Sequence, residues 1–494
     1  MAEAITKRIT APVGGWNQRD GLGDMKPKYA PIMDNIIPDT SRVRLRKGME
    51  EFATGMGAGA VETLIPYASG TSSKFLACAN GEIYEISAGG TATSLASGFT
   101  NNRWQSVQLA GYTVMVNGAD TPRTYDGTTS ATTSLTGVTS STLIHVNAFK
   151  ERLFFIQKDT LSAWYLAAGA ITGALTQLNF NSLCKLGGTL TCMVTWTRDG
   201  GSGPDDLAAF ITSKGEVIVY DGIDPATPWV LVGRFTIPPP IGRRPAISVA
   251  GDVVLVTVDG FIQLSSALPT ARTAVVPEFS DLISGAVNTA TLAYKDIFGW
   301  EAVLYPQGRM GIFNVPVIAN NTMHQYVYVT HTGAWCRFTG WNMNTMAIFE
   351  EELYGGGTNG KVYKLDTGTS DDGTAIVGDV QQAFSGFGVE QRKQFLTVRP
   401  AIASDGVITP SVGFNVDYQN VAATGTPSSS PGEGTLWDES LWDEAFWGAD
   451  ELIAINDLGV AGLGDVGATR IRVSSAAATF AWADTRVTFL RAGP

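Results

Sequence analysis

Apolar residues along this chain come in short runs that stop at Gly-containing turns. In Asp206–Gly222 the run Leu207–Ile211 meets Ser213-Lys214-Gly215, and Val217–Tyr220 leaves it. Val, Ile and Tyr suit a pleated, half-buried surface, and Gly supplies the positive φ of a tight turn. The pattern predicts a β-hairpin. It recurs at Ala77–Ile86 around Asn80-Gly81, at Val114–Tyr125 around Asn117-Gly118, at Leu255–Leu264 around Asp259-Gly260 and at Tyr354–Leu365 around Asn359-Gly360. Weaker turns stand between, at Lys158-Asp159 and Gln307-Gly308. Arg152–Gln157, Asp252–Val258 and Gln325–Thr330 also read as strands. Phe279–Leu292 is long enough for one short helix.

The spacing of these turns organises the middle of the chain. Gly81 and Gly118 are 37 residues apart, and Gly215 and Gly260 are 45 apart. The gaps Gly118–Gly215 and Gly260–Gly360, of 97 and 100 residues, each hold two steps. Four-stranded propeller blades recur at roughly 40–50 residues. The expected fold is therefore all-β: a β-propeller of six or seven blades over residues 56–365. A β-sandwich or open β array is the alternative that the same turns allow.

The flanks read differently. Residues 1–55 form an extended docking segment in which Pro27, Pro31 and Pro38 block long helices and central strands. Arg42, Arg44, Arg46 and Lys47 alternate with Val43 and Leu45, which predicts a strand with one basic and one apolar face. A solvated edge strand accounts for that charge. A contact with an acidic partner surface or with DNA phosphates also accounts for it, and makes Arg42, Arg44 and Arg46 candidate interaction residues. Inside the propeller, Pro238-Pro239-Pro240 and Gly242-Arg243-Arg244-Pro245 read as a stiff connector between blades, with no catalytic role.

Residues 366–494 are expected to form an accessory C-terminal β-sandwich, with strands at Gln394–Ala401, Ser411–Tyr418, Thr469–Ser474 and Arg486–Arg491. Residues 423–435 are rich in Gly, Ser and Pro and read as a linker or exposed loop. A Trp-rich loop, 436–448, follows, with Trp437, Trp442 and Trp447 five residues apart. Five residues turn a helix about 140° past a full turn, so the rings share no face. Each ring then seats separately: in the chain's own core, against another subunit, or on a sugar beside Asp438, Glu439, Asp443 and Glu444.

Composition narrows the chemistry. The 494 residues suffice for two or three domains, and 56 glycines suit many turns. The net charge of −12 argues against wrapping DNA, since phosphate contacts need Lys and Arg. Four scattered cysteines, Cys78, Cys184, Cys192 and Cys336, are expected reduced and buried. The opening MAEAITKRITAPVGGW has no apolar signal-peptide core, and no stretch approaches a membrane span, so cytoplasmic synthesis is expected. Gly355–Lys361 has phosphate-loop spacing but continues into Val362 and a strand, and reads as a hairpin turn. His145, His324 and His331 have no ligand set around them, so zinc is not expected. The acidic stretch Asp199–Asp206 reads as a solvated loop, without the regular spacing of a calcium site. A G-x-S-x-G elbow is absent. Two carboxylates brought together from distant blades would suit glycoside hydrolysis, but nothing in the sequence marks which ones. No catalytic, cofactor or metal site is expected.

The residues do carry a resemblance. The opening GGWNQRDGLGDMKPKYAPIMDNIIPDTSRVRLRKGMEEF is similar to the entry segment of tail-nozzle proteins of short-tailed bacteriophages, also called packaged-DNA stabilisation proteins. The matching blocks are Asp34-Asn35-Ile36-Ile37-Pro38 and Arg44-Leu45-Arg46-Lys47-Gly48. Leu143–Leu166 looks like that family's strand pair, and Gly333–Arg337 with Tyr354–Leu365 looks like a late blade. Trp-Asp repeats are also common in such tail proteins. The resemblance implies a β-propeller with accessory β domains, assembled as a hexamer below the portal and a head–tail adaptor, with a needle and tail fibres or spikes nearby. It implies a virion structural protein that retains packaged genomic double-stranded DNA and conducts it during ejection, without sequence-specific binding or membrane insertion. A lumen lined mainly by Asp, Glu and neutral polar side chains is expected to keep the DNA slippery. A carbohydrate-binding or carbohydrate-cleaving propeller for host-receptor recognition is the alternative.

Overall fold

The computed structural model describes residues 4–70, 72–199, 204–227, 229–249, 252–267, 280–424, 452–455 and 457–492. The described residues form a seven-bladed β-propeller joined to a β-sandwich. Blades 1 to 4 are four-stranded antiparallel sheets. Blade 1 runs Thr63–Ser69, Ser72–Ala79, Glu82–Glu85 and Thr93–Ser97. Blade 2 spans Gln105–Leu109 to Ser130–Thr132, and blade 3 spans Leu143–Phe149 to Thr176–Asn179. Blade 4 spans Leu190–Asp199 to Val230–Thr236. Among the described residues blade 5 has three strands, Ala246–Val249, Asp252–Thr257 and Gly260–Gln263. The helix Ser284–Tyr294 packs against Gly260–Gln263 and the blade 6 strand Met310–Ile318, and buries Val287 and Ala290. Blade 6 runs Glu301–Tyr305, Met310–Ile318, Thr322–Val329 and Ala334–Thr339.

Blade 7 closes the ring with a strand from far away. Met343–Phe349, Glu352–Gly357 and Val362–Thr367 pair in order, and the outer position is taken by Gly48–Thr54. The segment 1–55 is therefore not a separate docking arm. Its last strand belongs to the propeller, because the edge of Val362–Thr367 would otherwise stand open.

The turn periodicity marks real equivalences. Asn80-Gly81, Asn117-Gly118, Lys158-Asp159, Ser213–Gly215, Asp259-Gly260 and Asn359-Gly360 each join the second and third strands of a blade. Gln307-Gly308 joins the first and second strands of blade 6 instead. At Gly360 φ is +74°, and a Cβ would lie 1.9 Å from the Gly57 carbonyl oxygen, so the turn demands glycine on two counts.

Burial on both faces explains the near-continuous apolar runs. In Ser72–Ala79, Phe75, Ala77 and Ala79 pack toward blade 7, whereas Leu76 and Cys78 pack toward blade 2. In blade 4, Ala209, Ile211, Val217 and Val219 face blade 5, whereas Ala208, Phe210 and Ile218 face blade 3. Each gap between blades is thus its own small core. The outer strands of blades 1 to 3 are mostly polar, but that of blade 4 exposes Val230 (60%), Leu231 (41%) and Val232 (43%).

The sandwich uses both ends of the chain. One sheet runs Ile32–Asp34, Thr374–Gln381, Gly467–Ser475, Ser411–Val416. The other centres on Lys393–Ser404 and Ala481–Arg491, which also pairs with Ala4–Thr10 and Val43–Leu45. Ile36, Leu45, Val380, Phe395, Val398, Ile471, Trp482 and Phe489 fill the space between. The expected C-terminal strands are all present. The sandwich is nonetheless incomplete without residues 4–45, which the sequence alone places in a separate N-terminal segment. The first sheet continues into blade 6 through Ile32–Asp34, which bridges Arg337 on one side and Asp379 on the other.

Candidate functional site

The connector after Pro240 delivers two arginines across the propeller axis. Arg244, at the entry to blade 5, donates to Glu301 Oε1 (3.3 Å) and Thr345 Oγ1 (3.1 Å) from blades 6 and 7. It also donates to the Glu62 carbonyl (3.1 Å), Thr63 Oγ1 (2.7 Å) and the Trp104 carbonyl (3.0 Å) at the starts of blades 1 and 2. Arg243 donates to the carbonyls of Asn117 (3.1 Å) and Ile144 (2.9 Å) in blades 2 and 3. Arg103 pairs with Glu62 at 3.1 Å and stacks over Phe298 at 4.3 Å. Burial, with Arg244 and Arg103 alongside, brings Arg243 down to about 10. Glu62 and Glu301 are both engaged by guanidiniums here. The two arginines, at the entry to blade 5, thus tie together six of the seven blades.

From the sequence alone Gly242–Pro245 reads as a stiff connector only. A signal was available: two adjacent arginines, held between Pro-Pro-Pro and Pro245, enter a region of low charge density. Their acceptors are mostly main-chain carbonyls, which leave no trace in the sequence.

A second cluster forms where the propeller meets the sandwich. The two blocks that carry the family resemblance pair with each other here, Ile36 with Leu45 and Pro38 with Val43. Asn35 sits at φ +57°, a conformation Asn tolerates. Its side chain donates to Thr339 Oγ1 (3.0 Å) and the Val377 carbonyl (2.8 Å), and accepts from Thr339 N (2.8 Å) and Arg46 Nε (2.9 Å). Arg46 then forks onto Asp371 (2.8 and 2.6 Å), donates to the Thr339 carbonyl (2.9 Å), and lies 4.8 Å over Trp341. Asp34 receives both nitrogens of Arg337 at 2.6 Å, and Asp379 receives Arg470 in the same way at 2.9 and 2.7 Å. A Cβ on Gly48 would lie 1.8 Å from the Ser370 carbonyl oxygen. The motif residues thus form a clasp between N-terminal segment, blades 6 and 7 and sandwich.

That placement divides the predicted interaction residues. The side chain of Arg46 is 1% exposed and its donors are used internally, so it is not available to a partner. Arg42 and Arg44 are half-buried and line a groove of about 180 Å³. Trp437, Trp442 and Trp447 lie outside the described residues, as does most of 423–435 and the middle of Asp199–Asp206. Among the described residues no His, Cys, Asp and Glu group is placed to hold a metal ion. His145 Nε2 contacts the Met193 carbonyl at 2.9 Å, its Nδ1 is enclosed, and burial lowers the ring to about 4. His331 pairs with Asp39 at 3.1 Å. The cysteines are free thiols, with Cys78, Cys192 and Cys336 buried. No described helix is long and apolar enough to cross a membrane.

No family model and no curated protein sequence matches the chain. Among solved structures it is similar to the extracellular domain of the one-component system protein BT4673 from B. thetaiotaomicron, with TM-score 0.42 and 12% identity over 71% of this chain. The chain spans 43% of that protein's length. It is also similar to YCF48 from Cyanidioschyzon merolae (TM-score 0.37, 11% identity, 66% of this chain and 98% of that one) and to Saccharomyces cerevisiae Sqt1 (0.40, 9%, 64% and 99%). At these scores the likenesses carry no argument.

Proposed function

We propose that this protein is a passive structural component of a short bacteriophage tail, a nozzle subunit that helps retain packaged DNA and guide its exit. The tail assignment rests on the resemblance of residues 14–52. The passive reading is supported by one observation: Arg243 and Arg244 join residues of six blades, and the guanidiniums there engage Glu62 and Glu301, which makes this cluster a brace. Fourteen strands run in one continuous sheet from blades 6 and 7 into the sandwich, which suits a stiff wall. In this reading the DNA conduit runs between copies of the chain, in a hexameric ring, and not through one propeller. The acidic balance keeps that wall weakly repulsive to DNA within a screening length of about 8 Å.

The test is co-sedimentation of the protein with intact virions, with mass measurement of the released assembly. A ring of several copies that travels with the virion supports the proposal. A monomer absent from virions, or purified protein that hydrolyses host surface polysaccharide, overturns it.

A further inference from the structure

We propose that Asn359-Gly360, the turn between the second and third strands of blade 7, modifies itself: the Gly360 main-chain nitrogen attacks the Asn359 side-chain amide, and the turn ages to aspartate and isoaspartate. The inference stands whether or not the chain is a tail protein. Glycine leaves the path open, because it has no Cβ to block the approach. Three Asn-Gly pairs occur in the chain, each at a blade turn, and their surroundings differ. Asn117 is 1% exposed. Its Oδ1 accepts from Ala119 N (3.0 Å) and Asp120 N (2.8 Å), and its Nδ2 donates to Asp120 Oδ2 (2.6 Å), so the side chain is locked. At Asn80 the nucleophile is engaged: Gly81 N donates to Asn102 Oδ1 (2.9 Å), and Asn80 Nδ2 is tied to the Met56 carbonyl. Asn359 is exposed, and its side chain makes one hydrogen bond, from Nδ2 to the Tyr363 hydroxyl (2.9 Å). Gly360 N makes none among the described residues.

The chemistry needs only water. Gly360 N gives up its proton to solvent and bonds to Asn359 Cγ, closing a succinimide ring. The side-chain nitrogen takes up a proton and leaves as ammonia. Water then opens the ring on either side of the Gly360 nitrogen. Cleavage of its bond to Cγ gives aspartate. Cleavage of its bond to the main-chain carbonyl carbon gives isoaspartate, which lengthens the backbone by one carbon. This turn has no room for that carbon. A Cβ on Gly360 would already lie 1.9 Å from the Gly57 carbonyl oxygen, and Val61 N donates to the Gly357 carbonyl (3.0 Å). The strap that makes these contacts leads from the closing strand Gly48–Thr54 into blade 1. Isoaspartate at 359 therefore loosens the junction of blades 7 and 1.

In the test, the folded full-length protein is aged in mildly alkaline buffer and its peptides are mapped by mass spectrometry, with isoaspartate detected by enzymatic methylation. Conversion at Asn359 is expected to be about tenfold faster than at Asn80 or Asn117, the size of one extra hydrogen bond to break on the way to the ring. In guanidinium the three pairs are expected to convert at similar rates. Aged protein is expected to melt below fresh protein. Asn359→Gln, whose attack needs a larger ring, is expected to resist both changes. Asn359→Asp, which adds the charge without the carbon, is expected to melt with the fresh protein. No conversion at Asn359 in the folded chain, an equal rate at Asn80 or Asn117, or aspartate without isoaspartate overturns the proposal. Aged protein that melts with the fresh protein overturns the loosening.

Discussion

Arg244 offers the sharpest test of how the propeller is held closed. Its side chain is 12% exposed and that of its partner Glu301 is 14% exposed. Replacing it with Met keeps much of the stem and removes the fork. Thr63 Oγ1 still donates to the Asn102 carbonyl and accepts from Trp104 N, so it stays satisfied. Glu301 keeps only the bond from Met346 N, at 3.1 Å, and the Glu62 and Trp104 carbonyls lose a donor. Removing one member of a buried, hydrogen-bonded ion pair costs about 3–5 kcal/mol, because the other charge stays behind. Arg244→Met is therefore expected to lower the unfolding free energy by about that much in urea titrations followed by tryptophan fluorescence. Arg244→Lys restores a charge but not the fork, so it should recover only part of the loss. Hydrogen exchange should quicken in the inner strands of blades 1, 2, 6 and 7 together, since all four hang on this one side chain. A Met variant within about 1 kcal/mol of the parent, or a Lys variant as stable as the parent, refutes the brace.

Asp371→Asn leaves the Arg46 guanidinium without its counter-charge, and is expected to cost about 3–5 kcal/mol in thermal or urea unfolding. His145 supplies a pH dependence: its folded value, about 4, lies below its ordinary 6.5, so the unfolded chain binds the extra proton between them. Stability is then full above pH 6.5 and falls as the pH drops toward 4, by up to roughly 3 kcal/mol; His145→Gln should flatten that slope in urea titrations at stepped pH. The apolar outer edge of blade 4 should make the isolated protein self-associate, and Val230→Lys with Val232→Lys should suppress this in light scattering at little cost in stability. A wild-type chain that stays monodisperse at high concentration counts against that reading.

The propeller was legible because its signals are local. A Gly turn between two apolar runs needs only a dozen residues, and blade 4 shows the full pattern between Leu207 and Tyr220. What local patterns cannot carry is the partner of a strand. Gly48–Thr54 reads as part of a Pro-rich lead-in, and its place in blade 7 is decided by an open edge far along the chain. The basic alternation at 42–47 was visible and a strand was the right outcome. Its charges then had separate fates, since Arg46 turns inward onto Asn35 and Asp371 while Arg44 stays at the groove. The axial brace was hidden for another reason. Apart from Glu301, Arg244 reads its neighbours through carbonyls and hydroxyls that any sequence supplies, so its role depends on the ring that places them.

The strand that seals blade 7 also sets an order of events during synthesis. Gly48–Thr54 leaves the ribosome about 310 residues before Val362–Thr367, the edge it pairs with. At ~5–20 residues per second it waits roughly 15–60 s for that partner. Ala4–Thr10 waits longer still for Ala481–Arg491. Blades 1 to 4 can assemble as the chain emerges, but the drum is locked only by its earliest and latest segments meeting. A nascent chain halted before residue 362 should therefore leave Ala4–Thr10 and Gly48–Thr54 open to protease, however well the middle has folded.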